Sequence, residues 1–236
     1  MKLTQSKIVS PFIIVLIILA PLLLVSRDQS LLFINGLHSP PLDWLIKKIT
    51  WLGEGFMLCV CIMLLLFLRI KWAFVFVIGL LIHVLLIQIN KQYLFNDILR
   101  PFGYFKALGK EDVLHIVEGI KIHHKTSFPS GHTTGAAFAA SFIALALKNK
   151  KISYILAIIT ISIGFSRVYL AQHFIIDIYF GVLFGTLSSV LSMNIIKDIQ
   201  LRYTWMNNYL IKLRTKRLLI NFRNLKQAFH KNLGYS

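Results

Sequence analysis

Uncharged apolar runs dominate the chain and alternate with short polar segments. Six such runs occupy residues 8–25, 55–68, 72–90, 131–147, 152–166 and 178–196. A membrane-spanning helix needs roughly 20 mostly apolar residues and at least about 17. The second and fifth runs are shorter, and they reach that length only by extending across Glu54 and Arg167. The pattern predicts an all-α, polytopic membrane protein built as a bundle of six transmembrane helices.

A charged residue that interrupts a span is costly to bury and is therefore a candidate functional residue.

The first run follows Lys2 and Lys7, as in a signal peptide. It is long for the apolar region of a signal peptide and has no clear cleavage site of small residues. We expect an uncleaved anchor.

The polar segments predict one membrane domain and a tail. Residues 1–196 form the six-helix domain, with an active-site loop at 91–131. For an outer-face interfacial segment at about 31–50, the sequence predicts a turn followed by a short helix. Residues 197–236 carry nine basic residues among aromatic and aliphatic ones, which indicates an amphipathic cytoplasmic helix on anionic inner-leaflet lipids. A solvated, partly disordered basic tail is the alternative.

The basic residues are unevenly distributed between the two predicted sides. The formal net charge of +17 would suggest nucleic acid in a soluble protein. With a cytoplasmic N-terminus, 16 of the 26 basic residues and one of the nine acidic residues fall inside. This asymmetry follows the positive-inside rule for an even number of spans. It argues against a nucleic-acid partner and predicts a bacterial inner-membrane protein with both termini cytoplasmic and its active site on the periplasmic or extracellular side.

The composition identifies the class of protein and argues against a metal site or a disulfide. Hydrophobic residues make up 56% of the chain and the mean hydropathy is +0.69, which excludes an ordinary soluble domain. The two cysteines, Cys59 and Cys61, point to different faces of one apolar helix and are poorly placed to pair. His115, His123 and His124 lack a ligand spacing with carboxylates. We expect no metal site and no disulfide.

Eight chemistry-bearing residues fall at the outer ends of the predicted spans. They are Lys91 and Arg100 after the third run, Ser130, Gly131 and His132 at the start of the fourth, Arg167 at the end of the fifth, and His173 and Asp177 before or at the start of the sixth. A chance arrangement would scatter them over both faces. The sequence therefore predicts one pocket that gathers them at the outer membrane surface.

The first part of this pocket is an anion site. Lys91, Arg100 and Arg167 supply positive charge and N–H donors but no acceptor, which suits a dianionic phosphoryl group. The helix that opens at Ser130 offers free backbone N–H groups and the positive end of its dipole. Gly131 lets a ligand approach the backbone closely. A phosphate site is expected before any reaction is considered.

The second part is a nucleophile with an acid. His173 and Asp177 are four residues apart where a helix begins, so their side chains can share one face. A carboxylate on one imidazole nitrogen fixes the tautomer and leaves the other nitrogen free to attack. His132 is available to protonate the departing alcohol oxygen. Guanidinium groups can neutralise the phosphoryl charge, so the chemistry requires no metal and no other cofactor.

Three motifs resemble those of the phosphatidic acid phosphatase type 2 superfamily, over roughly residues 35–196. They are Lys91-x8-Arg100-Pro101, Pro129-Ser130-Gly131-His132 and Ser166-Arg167-x5-His173-x3-Asp177. The second and third match the family pattern in full. The first is usually written Lys-x6-Arg-Pro and is two residues longer here, which we expect to be absorbed by a bulge or by a longer helix-to-loop turn.

The resemblance implies a role for each matching residue. His173 would form a phosphohistidine, Asp177 would orient it, and His132 would act first as acid for the leaving group and then as base for water. The phosphate would be bound by Lys91, Arg100, Arg167, Ser130 and Gly131. These roles agree with those reached from the residues alone.

A lipid phosphatase is the leading functional hypothesis, because the site lies at the level of lipid headgroups. Its substrate would be a phosphomonoester or pyrophosphate lipid, such as phosphatidic acid, phosphatidylglycerol phosphate, a polyprenyl pyrophosphate or lipid A. A lipid phosphotransferase would use the same residues with another acceptor. A non-catalytic lipid-binding or transport protein is the alternative of a different class, and a haloperoxidase resembling this family would need vanadate and would usually be soluble.

Overall fold

The computed structural model describes residues 3–199, with side chains described for residues 5–195. In this range all regular secondary structure is helical and no strand is present. The α-helices are α1 (Leu3–Leu19), α2 (Arg27–Asn35), α3 (Pro40–Trp51), α4 (Gly55–Leu68), α5 (Ile70–Gln88), α6 (Pro101–Ala107), α7 (Gly131–Leu147), α8 (Lys150–Tyr169) and α9 (Ile175–Ile199). The all-α prediction is confirmed.

Helices α7 and α9 form the centre of the bundle. The facing surface of α7 is rich in Ala, Gly and Thr, and small residues allow membrane helices to approach closely. A Cβ added at Gly185 of α9 would collide with the carbonyl oxygen of Thr134 and lie 2.7 Å from the Cβ of Ala137. The two backbones therefore pack against each other with no room for a larger residue at position 185. This close contact fixes the position of α7 relative to α9.

The other long helices surround this pair. On one side, α5 packs through Phe76. Its ring centroid lies 4.7 Å from that of Phe138 and 5.0 Å from that of Phe142, both of α7. On the other side, α1 contributes the fully buried Phe12, and its Ile8 carbonyl accepts a 2.5 Å hydrogen bond from Ser153 of α8. Lipid tails are as apolar as these aromatic side chains, so the contacts stabilise the bundle through van der Waals packing and not through removal from water.

Length and apolar composition identify fewer spans than six. Within residues 3–199, four helical segments are long and apolar enough to cross a membrane, at 5–24, 70–94, 150–169 and 175–195. Helices α3 and α4 qualify only as a pair, bent by 51° at a short break. Helix α7 has 17 residues and is about 25 Å long at 1.5 Å per residue, slightly less than the roughly 30 Å of hydrocarbon. The six-span count remains a prediction.

Several boundaries differ from the sequence expectation. The segment at 31–50 holds two helices, the end of α2 and most of α3, where a turn and one helix were predicted. Helix α8 continues through Arg167 to Tyr169, because the chain buries that guanidinium against α3 and does not need to end the helix before it. The predicted tail at 197–236 lies outside the described residues except for its first three positions, which continue α9.

A long connection covers the end of the bundle where the site lies. It runs from α5 to α7 and contains the short α6. Two backbone pairs close it on itself: Arg100 N–H donates to His124 O at 2.9 Å, and Ser127 N–H donates to Ile98 O at 3.1 Å. These two bonds hold the beginning and the end of the connection together, which fixes the backbone that leads into α7.

Candidate active site

His173 lies in the short turn between α8 and α9, and Asp177 lies in the first turn of α9. The turn is tied down because Gln172 and His173 both donate backbone N–H bonds to the Arg167 carbonyl, at 2.9 and 3.2 Å. His173 Nδ1 is 3.2 Å from Asp177 Oδ2. The predicted pair is thus in contact, although His173 precedes the helix that was expected to hold both residues.

The Asp177 carboxylate is fixed by more than His173. Its Oδ2 also accepts hydrogen bonds from Ser127 Oγ at 2.5 Å and from Phe174 N–H at 3.0 Å. An oxygen of a carboxylate is an acceptor only, so Nδ1 of His173 must carry the proton between them. Nε2 then holds the lone pair, which is the tautomer that a nucleophilic histidine needs.

Burial keeps His173 neutral. Its side chain is 2% exposed, and this burial lowers the pKa of His173 to about 3. The hydrogen bond and charge of Asp177 act in the opposite direction, while Arg100 and Arg167 add to the lowering. At neutral pH the imidazole is therefore unprotonated at Nε2 and able to attack an electrophile.

His132 stands at the start of α7. Ser130 is the N-cap of this helix and is fully buried; its Oγ accepts from Thr133 N–H at 3.4 Å and from Thr133 Oγ1 at 3.0 Å. The Ser130 side chain is therefore committed to the cap, and its own N–H donates to the Asp177 carbonyl at 3.1 Å. A Cβ built on Gly131 would meet no atom within 4 Å, so the backbone at Gly131 borders open space that a ligand can approach.

Arg167 is the most deeply buried cation of the set. Its side chain donates from one terminal nitrogen to Thr50 Oγ1 at 2.7 Å, while Nε is buried without a hydrogen-bond partner among the described residues. A buried unsatisfied donor costs about 1–3 kcal/mol, and more when charged. A phosphoryl oxygen would remove this cost, which makes Arg167 a direct structural indication of an anion site.

Arg100 and Lys91 approach from the long connection and from the end of α5. Arg100 Nε donates to Lys125 O at 3.1 Å, and a terminal nitrogen donates to Gln172 Oε1 at 3.4 Å. Lys91 Nζ donates to Thr126 O at 2.6 Å. The charge of Asp177 acts on both cations. Both side chains therefore reach the site despite the long first motif.

A π-helical turn accommodates the extra length of that motif. A turn of π geometry over Ile89–Leu94 follows α5 directly and contains Lys91. A π-turn closes hydrogen bonds five residues apart and widens the helix by one residue, and such turns occur frequently at functional sites. Of the two solutions expected from the spacing, the chain uses a bulge of this kind and then a short loop before Arg100.

Electrostatic interactions link the two histidines through shared neighbours. The charges of Arg100 and Arg167 act on both His132 and His173. The site residues thus come from the end of α5, the long connection, the start of α7, the end of α8 and the start of α9. Chemically, the arrangement combines a buried neutral imidazole at His173, a second histidine at His132 and the positive charges of the neighbouring arginines.

Four residues of this region were not assigned to the site from the sequence. Ser127 supports Asp177, Thr50 supports Arg167, Gln172 supports Arg100, and Glu54 Oε1 lies 3.1 Å from His132 Nε2. Only Glu54 carried a signal, as a charge interrupting an apolar stretch. The others are uncharged polar residues whose partners lie 50, 117 and 72 positions away in sequence, for Ser127, Thr50 and Gln172.

Several known proteins are similar to this chain in sequence over part of its length. The PAP2 superfamily matches residues 71–200, more than half of the chain. The chain is 43% identical over 70 residues to phosphatidylglycerophosphatase B of Bacillus subtilis, covering 26% of this chain and 34% of that protein. It is 40% identical over 67 residues to undecaprenyl-diphosphatase BcrC of the same organism, covering 28% and 34%. The chain thus spans about a third of the length of these curated relatives.

Two solved structures are similar over a larger share. LpxE of Aquifex aeolicus superposes with a TM-score of 0.59 at 26% identity, covering 70% of this chain and 93% of that one. A transmembrane PAP2-type phosphatidylglycerolphosphate phosphatase from Bacillus subtilis superposes with a TM-score of 0.52 at 27% identity, covering 82% and 98%. The helical arrangement is therefore that of PAP2-type membrane phosphatases.

Proposed function

The chain belongs to the PAP2 superfamily, and from this premise we propose that it is a lipid phosphatase that hydrolyses a phosphomonoester or pyrophosphate of a membrane lipid. The reaction proceeds through a phosphohistidine at His173 and uses no metal. The observation that carries the proposal is the buried His173–Asp177 pair beside Arg167, whose buried Nε–H has no acceptor among the described residues.

The first step transfers the phosphoryl group to the protein. Nε2 of His173 attacks phosphorus while the bond from phosphorus to the lipid oxygen breaks. Asp177 stabilises the positive charge that develops on the imidazole. His132 gives its proton to the departing oxygen, so that an alcohol, or a lipid monophosphate from a pyrophosphate, leaves instead of an unprotonated anion.

The second step returns the protein to its starting state. His132, now neutral, takes a proton from water as the water oxygen attacks phosphorus and the N–P bond breaks. Inorganic phosphate leaves, and His173 recovers its lone pair on Nε2. Arg100, Arg167 and Lys91 stabilise the equatorial oxygens in both steps, which is the charge-neutralising task that a metal performs elsewhere.

The relatives support a lipid substrate. Their names give phosphatidylglycerophosphate and undecaprenyl diphosphate as substrates, one a phosphomonoester and one a pyrophosphate. Apolar helices surround a site that sits at one end of the bundle, so a lipid can present its headgroup while its tails stay in the bilayer. By the distribution of basic residues, this end faces the periplasm or the exterior and both termini face the cytoplasm.

The test is a panel of lipid phosphates offered to the purified protein in detergent, scored by inorganic phosphate. We expect release from at least one phosphomonoester or pyrophosphate lipid, abolished in His173→Ala and retained in Glu118→Gln. Glu118 is an exposed acid of the long connection. Release by His173→Ala at the wild-type rate would refute the proposal, as would transfer to a second lipid without free phosphate.

A further inference from the structure

The break between α3 and α4 contacts the site at two points. Thr50, near the end of α3, accepts the Arg167 hydrogen bond at 2.7 Å. Glu54, four residues later, is the N-cap of α4, and its Oε1 is 3.1 Å from His132 Nε2. The break, residues 50–54, lies outside the 71–200 stretch that matches the PAP2 superfamily.

Gly53 allows this close approach. A Cβ at Gly53 would lie 2.7 Å from Ile163 Cγ2 and 3.0 Å from His132 Cβ. The backbone of the break therefore packs directly on the His132 side chain and on α8. The 51° bend between α3 and α4 brings Glu54 over the start of α7, where the exposed fractions of the Glu54 and His132 side chains are 48% and 23%.

We propose that Glu54 is a positioning residue for His132, holding the imidazole in place and stabilising its positively charged form for the protonation of the leaving group. The proposal rests on the phosphatase function proposed above. Glu54 transfers no proton: its carboxylate accepts the bond from His132 Nε2–H, so the proton on Nδ1 passes to the lipid oxygen as the P–O bond breaks, and Nδ1 regains one from water in the second step. The carboxylate stabilises the imidazolium between these events.

The charged groups around His132 explain why such a residue is needed. Arg167 reaches it from α8 and Arg100 from the long connection, and both charges act on His132 together with that of Glu54. Burial of His132 and the charges of these two cations all disfavour the imidazolium. The carboxylate of Glu54 acts against this at hydrogen-bond distance, and a hydrogen bond between two charged groups is stronger than a neutral one.

Dependence on the leaving group distinguishes positioning of the acid from a structural role. A lipid alkoxide needs a proton to leave, whereas 4-nitrophenolate leaves as a stable anion. The quantity to compare is kcat/KM for a short-chain phosphatidic acid and for 4-nitrophenyl phosphate, because kcat/KM reports the steps up to phosphohistidine formation and excludes the later use of His132 as base. The ratio of the two values is independent of the fraction of protein that is correctly folded.

For Glu54→Gln we expect kcat/KM to fall about tenfold on the lipid phosphate and less than about twofold on the aryl phosphate. Glu54→Asp, which keeps the charge, restores part of the loss. The loss appears in kcat, with KM unchanged. Glu118→Gln, which changes an exposed acid of the long connection, leaves the rates on both substrates unaffected.

A double-mutant cycle locates the effect. Once His132 is replaced by Ala, adding Glu54→Gln should change kcat/KM for the lipid by less than about twofold, because coupled residues are not additive. Equal losses on both substrates would instead assign Glu54 to phosphate binding through Arg167 and overturn the proposal. So would an additive effect in the His132→Ala background. If the wild type releases no phosphate from either substrate, the phosphatase function itself has failed.

Discussion

Replacement of Asp177 by Asn tests the orienting carboxylate with almost no change in shape. In the wild type, Oδ2 accepts from His173 Nδ1, Phe174 N–H and Ser127 Oγ, at 3.2, 3.0 and 2.5 Å. Asn can present an amide oxygen to these donors but carries no charge. Its NH2 group, if turned toward His173, would favour the tautomer with the proton on Nε2, which cannot attack.

The size of the effect follows from the bond to His173 Nδ1, because it alone strengthens as the imidazole becomes positive in the transition state. A hydrogen bond to a charged group contributes about 1.5–3 kcal/mol, so losing the charge costs roughly 10- to 150-fold in kcat. Loss of the nucleophile in His173→Ala is more severe, at least about 10⁴-fold. We therefore expect a clear order: Asp177→Asn retains measurable turnover, and His173→Ala retains almost none.

The assay is phosphate release from the preferred lipid at saturating concentration, with Tm in detergent measured on every variant. Comparable Tm values ensure that kcat compares folded proteins. Ser127→Ala serves as the milder member of the series, because it removes one neutral donor to Oδ2 and leaves the charge. Equal and mild losses in Asp177→Asn and His173→Ala would refute the assignment of nucleophile and orienter.

Three further predictions follow from the site. EDTA should leave the rate unchanged, and vanadate should inhibit in competition with the lipid, since it can adopt a trigonal-bipyramidal geometry between His132 and His173; strict dependence on added metal would contradict the mechanism. Arg167→Lys should lower kcat/KM about 100-fold, because lysine lacks the planar fork that meets both Thr50 and a phosphoryl oxygen; a loss under about threefold would exclude direct contact. Burial lowers the pKa of His173 from 6.5 to about 3, so its neutral form contributes stability that is present above pH 6.5 and lost as the pH falls toward 3. Tm should fall further between about pH 7 and pH 4 in the wild type than in His173→Asn, and parallel falls would show that His173 does not carry this dependence.

The sequence predicted the parts of the site that rely on short-range spacing. His173 and Asp177 are four positions apart, and Ser130, Gly131 and His132 are adjacent at a helix start, so local geometry alone brings each group together. The long apolar runs predicted helices, because a helix satisfies its own backbone hydrogen bonds in a bilayer.

What the sequence could not provide depends on packing between distant segments. Glu54 and His132 are 78 positions apart and Thr50 and Arg167 are 117 apart, and no periodicity specifies such pairs. The π-turn at Ile89–Leu94 is a local departure from helical geometry that a hydrophobic pattern does not encode. These contacts arise because the bend between α3 and α4 and the end of α5 meet the same end of the bundle.

The most direct test of the account is to trap the phosphoryl group on the protein. Incubation with a ³²P-labelled lipid phosphate, a rapid alkaline-denaturing quench and peptide mapping should place an acid-labile, alkali-stable label on the peptide that contains His173, with more label in His132→Ala if the second step is slowed. Label on another residue, or undiminished turnover in His173→Ala, would contradict the covalent histidine mechanism.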